Sequence, residues 1–156
     1  MVLDKKLSNM DVIFVSGGNT FYLLEIMKKS GFDKIIKTLL AKEIVYVGSS
    51  AGSCVVAPDI TPIKLLDDPK KAKSLKSYTA LNLTRTLVLP HLNTKKFGAR
   101  CLATKKKYEK KYDMTPLNDN QVLIVKGNKN KIMKSSIKLS LIKSLIYYKI
   151  RKKLHL

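Results

Sequence analysis

Ser50 stands at the centre of Gly48-Ser49-Ser50-Ala51-Gly52, a G-x-S-x-G pentapeptide, the setting in which a serine can act as an exposed nucleophile at a strand-to-helix turn. A hydroxyl attacks poorly until a neighbouring base takes its proton, and that base needs a third group to fix its tautomer. The chain has 2 histidines. His91 directly follows the apolar run Leu87-Val88-Leu89-Pro90, a firm mount, whereas His155 sits one residue from the C-terminus among lysines. The acid is open between Asp119, immediately before the apolar run Gln121 to Val125, and Asp113, in a looser setting. Gly17-Gly18 ahead of a helical pattern offers closely approachable backbone N–H groups, the donors that a developing oxyanion requires. Cys54, one helical turn beyond Ser50, reads as a small buried hydrophobe.

These residues need rigid elements beneath them. Ile44 to Val47 reads as a buried strand feeding the serine turn; Val55 to Ala57 continue as a helical turn that Pro58 ends. Asp11 to Val15 is too continuously apolar for a half-exposed strand and suggests a parallel strand covered on both faces. Phe21, Leu23, Leu24 and Met27, then Phe32, Ile35, Ile36, Leu39 and Leu40, recur at helical spacing, with Gly31 as the break between them. The order strand, helix, strand, helix predicts an α/β fold with a mostly parallel sheet, and it puts Ser50 and Gly18 at the carboxyl ends of two strands, where such sheets hold ligands. Met1 to Met10 reads as a polar lead-in and 59 to 84 as turns. A charged helix is expected from near Lys95, and Lys126 to Asn130 as a hairpin connection. Neither G-x-G-x-x-G nor a Walker sequence is present.

With 156 residues, 45% of them hydrophobic, the chain has material for one core. The formal charge of +20, from 31 Lys and Arg against 11 Asp and Glu, is what phosphate binding would need, but these lysines read mainly as solvated faces and specific nucleic-acid binding is not expected. Only Tyr147-Tyr148 place aromatics among the lysines as a base-stacking surface would. No apolar run has the roughly 18 residues of a membrane span. Two cysteines without framework spacing fit a reducing cytoplasm. Beyond residue 133 the character changes: Ile137, Leu141, Leu145 and Tyr148 share one helical face among lysines, so 134 to 156 reads as a basic amphipathic tail after a domain spanning 1 to 133.

Four segments, D-V-I-F-V-S-G-G-N-T-F-Y-L-L at 11 to 24, V-Y-V-G-S-S-A-G-S-C-V-V-A-P-D-I at 45 to 60, L-V-L-P-H-L-N at 87 to 93 and P-L-N-D-N-Q-V-L-I-V at 116 to 125, resemble peptidase family S51, which includes the alpha-aspartyl dipeptidases and is related to cyanophycinase. The resemblance implies a three-layer α/β sandwich with a mostly parallel central sheet, of the class I glutamine amidotransferase-like or flavodoxin-like kind. It implies Ser50 as nucleophile, His91 as general base, Asp119 as the acid, oxyanion N–H groups from Gly18 and Ala51, and Asn19 near the substrate pocket. It also implies a serine-type dipeptidase acting on small peptides such as Asp-X, with no cofactor or metal. Leu65 stands where the aspartyl-specific pattern has Asp. The family carries strands ahead of D-V-I-F-V, so an amino-terminal truncation is expected, with an exposed sheet that favours association with a second copy. A catalytically inactive or partner-dependent relative, and a basic protein that binds nucleic acid or a membrane surface, stand as the alternatives.

Overall fold

The apolar run ahead of Gly17 becomes strand β1 (Val12–Val15) and the run ahead of Ser50 becomes β2 (Val45–Ser49). They pair in parallel, Val12 opposite Val45 and Val15 opposite Gly48. Ser16-Gly17-Gly18 and Ser49-Ser50 therefore leave the sheet side by side, at the carboxyl ends of neighbouring strands. The computed structural model describes residues 2–134 together with the backbone of 145–149.

A parallel pair needs a crossover, and here it is two helices, α2 (Thr20–Ser30) and α3 (Phe32–Ala41). Asn19 caps α2, its side chain accepting the Tyr22 N–H. Gly31, at φ 74°, closes α2 and turns the chain into α3. Phe21, Leu24, Ile36, Leu39 and Leu40 are wholly buried in the core, each contributing about 1.5–3 kcal/mol relative to exposure. The amino-terminal residues expected as a lead-in form α1 (Val2–Leu7). Leu3 and Leu7, four apart and so on one helical face, pack on the core.

After β2 come the short helix α4 (Ala51–Cys54), two 3-10 turns (Thr61–Leu65 and Pro69–Lys71) and β3 (Leu87–Leu89). Helix α5 (Gly98–Tyr108), β4 (Met114–Pro116), β5 (Gln121–Lys126), β6 (Lys129–Lys134) and β7 (Leu145–Lys149) follow. The main sheet runs β1-β2-β7-β5-β6, and β3 pairs with β4 in a separate two-stranded sheet.

Three expectations change. The main sheet is mixed: β1–β2 and β5–β7 are parallel, β2–β7 and β5–β6 antiparallel. The reason lies in the site, because Ser50 follows the end of β2 while Asp119 precedes the start of β5, and strands bringing an end and a start to one edge must run in opposite directions. β1 is covered on one face only, with Ile13 at 7% exposure against 52% for Val12 and 56% for Phe14. In the tail, Leu145 and Tyr148 belong to strand β7 rather than to a helix, while Ile137 and Leu141 lie outside the described residues. Leu145-Ile146-Tyr147-Tyr148 favours a strand, and β7 satisfies the facing backbones of β2 and β5.

Candidate active site

Two glycines make the serine turn possible. A side chain on Gly48 would collide with the Gly52 backbone and stand 2.9 Å from the Tyr46 ring, and one on Gly52 would meet the Val15 backbone. Ser50 is thereby held at φ 54°, ψ −116°, a conformation that costs on the order of 1–3 kcal/mol and persists only where the surroundings enforce it. Tyr46 adds to that enforcement: its buried hydroxyl donates to the Gly52 carbonyl at 2.7 Å. Gly17 closes over the serine, since a Cβ there would stand 3.0 Å from Ser50 Cβ.

His91 follows β3 and Pro90 at φ 67°, a left-handed conformation more accessible to His than to most residues. Its ring is tilted against Phe97 at a centroid distance of 5.3 Å. Nε2 lies 2.9 Å from Ser50 Oγ and Nδ1 lies 2.7 Å from Asp119 Oδ1. With Nδ1 protonated toward the carboxylate, Nε2 presents a lone pair to the serine hydroxyl, the arrangement a general base needs.

Asp119 is fixed from two directions. β3 and β4 run parallel with Leu89 opposite Pro116, so the residues after each strand emerge together. Leu117 N–H donates to the Leu89 carbonyl and Leu92 N–H to the Leu117 carbonyl. Asn93 then accepts the Asp119 N–H on its Oδ1 at 2.9 Å. Asp113 sits at the opposite end of this pairing, its carbonyl accepting the Leu87 N–H. The structure thus brings Ser50, His91 and Asp119 together and leaves Asp113 apart.

Two cavities meet at Ser50 and His91. An open one of about 520 Å³ runs past Phe14, Gly17, Thr94, Lys96 and Asp119. A smaller one of about 50 Å³ is bounded by Gly18, Thr20, Ala51 and Asp67. Gly18, at φ 141°, has a backbone that favours glycine. Asn19 lines neither cavity; besides capping α2, it donates from Nδ2 to the Asp68 carbonyl. Asn93, Phe97 and Asp67 escaped the sequence reading. The L-N pair after Pro90-His91 hints at Asn93, but Asp67 reaches Thr20 across 47 positions and nothing local marks it.

Cys54 is buried behind the serine turn, its Sγ 3.4 Å from the Ser50 and Val88 carbonyls. Burial raises its thiol far above the usual range, and the nearby Asp67 charge adds to the effect. Burial pushes Cys101 up to about 11, against an opposing pull from Arg100. Both thiols stay protonated near neutrality. At pH 8 the native chain is expected to react with a thiol-specific disulfide reagent about 100-fold more slowly than denatured chain, because the thiolate is the reactive form; stopped-flow absorbance on both forms measures this directly.

An α/β frame that holds a serine on a strand–turn–helix elbow, bonded in series to histidine and aspartate, defines the class. Within it the chain belongs to peptidase family S51, whose model matches residues 1–133. It is 40% identical over 119 residues to an uncharacterized peptidase of Listeria innocua, covering 74% of this chain and 56% of that protein. An uncharacterized peptidase of Pasteurella multocida is 32% identical over 133 residues, covering 85% of this chain and 64% of the relative. The crystal structure of a candidate peptidase E protein from Listeria monocytogenes EGD-e superposes with a TM-score of 0.80 at 33% identity, covering 86% of this chain and 65% of that one. The chain thus spans less than two thirds of the length of these relatives. Among the described residues no helix is long and apolar enough to cross a membrane.

Proposed function

We propose that the chain is a serine-type peptidase that hydrolyses small peptides through an acyl-enzyme. The observation that carries this is the unbroken series from Ser50 Oγ through His91 to Asp119, at 2.9 and 2.7 Å. His91 Nε2 takes the hydroxyl proton as Ser50 Oγ bonds to the peptide carbonyl carbon, and Asp119 stabilises the imidazolium that forms. The developing oxyanion is received by the Gly18 and Ala51 N–H groups, neither of which donates to a protein acceptor among the described residues. Preorganised donors of this kind are worth about 10²–10³ in rate each. His91 then gives the proton to the departing nitrogen as the C–N bond breaks. Water adds to the acyl carbon and loses its proton to His91, which returns it to Ser50 Oγ as the Oγ–C bond breaks, releasing the carboxylic acid and restoring Ser50.

The family likeness supports a peptidase, and the size of the two cavities supports short substrates, dipeptides among them. The same likeness supports a three-layer sandwich as the complete frame, and two buried free thiols fit a cytoplasmic setting. The test is labelling of the full chain by a fluorophosphonate. One label per chain, lost in Ser50→Ala and in His91→Ala, is the expected result. An unlabelled Ser50 in protein that melts cooperatively would overturn the reading in favour of a non-catalytic relative.

A further inference from the structure

The small cavity is bordered by a carboxylate that has no ion-pair partner among the described residues. Asp67 Oδ2 accepts from both the Thr20 backbone N–H, at 2.8 Å, and the Thr20 hydroxyl, at 2.6 Å. Oδ1 has no protein partner among the described residues, and neither does the carboxylate have an ion pair. Although the chain has 31 Lys and Arg, none among the described residues lines this cavity; its remaining walls include Ile63, Leu66, Pro90 and Phe97. A helix-capping role accounts for Oδ2 alone, and α2 already has Asn19 as its cap. A half-buried carboxylate with one free oxygen beside apolar walls favours a cationic ligand over a neutral one.

Resting on the peptidase reading, we infer that this cavity is the acyl-side subsite and that Asp67 receives the α-ammonium group of the substrate. When the scissile carbonyl sits at Ser50 with its oxygen toward Gly18 and Ala51, the amine two bonds away lies on the Asp67 side, because all of these residues border the one cavity. The leaving group then departs past His91 into the open cavity, whose 520 Å³ and Lys96 suit a second residue with a free carboxylate. This cavity, at about 50 Å³ against about 520 Å³ for the open one, leaves room beside the ammonium for little more than a small side chain. The first residue is therefore small and uncharged, such as Gly, Ala or Ser. An aspartyl side chain would bring a second carboxylate against Asp67, where like charges repel, so Asp-X is disfavoured.

The experiment measures how three amides slow fluorophosphonate labelling of the full chain. L-alaninamide is expected to protect with an affinity about 10- to 100-fold higher than N-acetyl-L-alaninamide, the range for a charge-assisted hydrogen bond, and to outcompete the α-amide of L-aspartate by a similar factor. In Asp67→Asn the preference for the free amine over its acetylated form is expected to collapse to near parity, since Asn keeps an acceptor for Thr20 but loses the charge. Equal protection by all three amides, or strongest protection by the aspartate amide, overturns the assignment of Asp67 and leaves the peptidase reading standing. A Ser50 that no fluorophosphonate labels overturns both.

Discussion

Asp119→Asn is expected to slow acylation of Ser50 by about 10⁴-fold, the scale on which the wrong histidine tautomer acts. An asparagine amide occupies the same space as the carboxylate and can still meet His91 Nδ1, now at 2.7 Å, but it can do so as a donor. The imidazole then carries its proton on Nε2, facing Ser50 Oγ at 2.9 Å, and has no lone pair with which to take the hydroxyl proton. The imidazolium formed during attack also loses its counter-charge. Asp119 backbone N–H remains bonded to Asn93, so the loop keeps its place and the loss is chemical. Asp113→Asn, at the far end of β3, is expected to leave the rate unchanged. Fluorophosphonate labelling rates for both variants, with thermal melts on the same samples, check the pair of outcomes; a slow Asp113→Asn and a normal Asp119→Asn would reassign the acid.

The same comparison explains what the sequence could reveal. Ser50 and His91 were legible because each follows an apolar run that must be a strand, and a residue at a strand's carboxyl end has a predictable address. Spacing alone leaves the choice between Asp119 and Asp113 open, and only the family resemblance points to Asp119, since the choice depends on the register of β3 against β4. Met114-Thr115-Pro116 is too short, and its proline too unfavourable, to announce a strand, yet its parallel pairing with Leu87–Leu89 decides which acid meets His91. Sheet direction failed for a related reason: the alternation of strands and helices speaks only for the first half of the chain, while the hairpin from Lys126 to Asn130 is a local signal that the β5–β6 pairing matches, and the entry of β7 between β2 and β5 is set by long-range pairing. Val12 and Phe14 read as core by composition, but burial is a property of neighbours. Asn19, which the resemblance puts near the substrate pocket, lines neither cavity and instead caps α2, accepting the Tyr22 N–H at 3.0 Å, a favoured use of Asn before a helix. Asp67, within Asp-Asp-Pro, reads as a turn because turn chemistry and a half-buried carboxylate look alike in one dimension.

Gly52→Ala is expected to cost about 3 kcal/mol or more, or to prevent folding outright, at the upper end of what overpacking a filled site costs. The added methyl would stand 2.9 Å from the Val15 carbonyl carbon and 3.0 Å from its Cγ1, with the Val15 carbonyl oxygen closer still. A side-chain tip could swing away, but the obstacle here is backbone of β1, which is hydrogen-bonded to β2 in register from Val12 to Val15. Relief would require moving α4 off the sheet or β1 out of its ladder. The first would break the Tyr46 hydroxyl bond to the Gly52 carbonyl; the second would drag Ser16-Gly17-Gly18 away from Ser50. Gly127→Ala makes the contrasting case: φ is 57° and nothing among the described residues lies within 4 Å, so backbone strain is what opposes it and about 1 kcal/mol is expected. Urea titrations followed by circular dichroism separate the two. Because total stability for a domain is about 5–15 kcal/mol, the first change uses up a large share of it and the second does not. A Gly52→Ala chain with a native midpoint would mean that β1 and α4 are not in the close contact that holds Ser50 in its strained conformation.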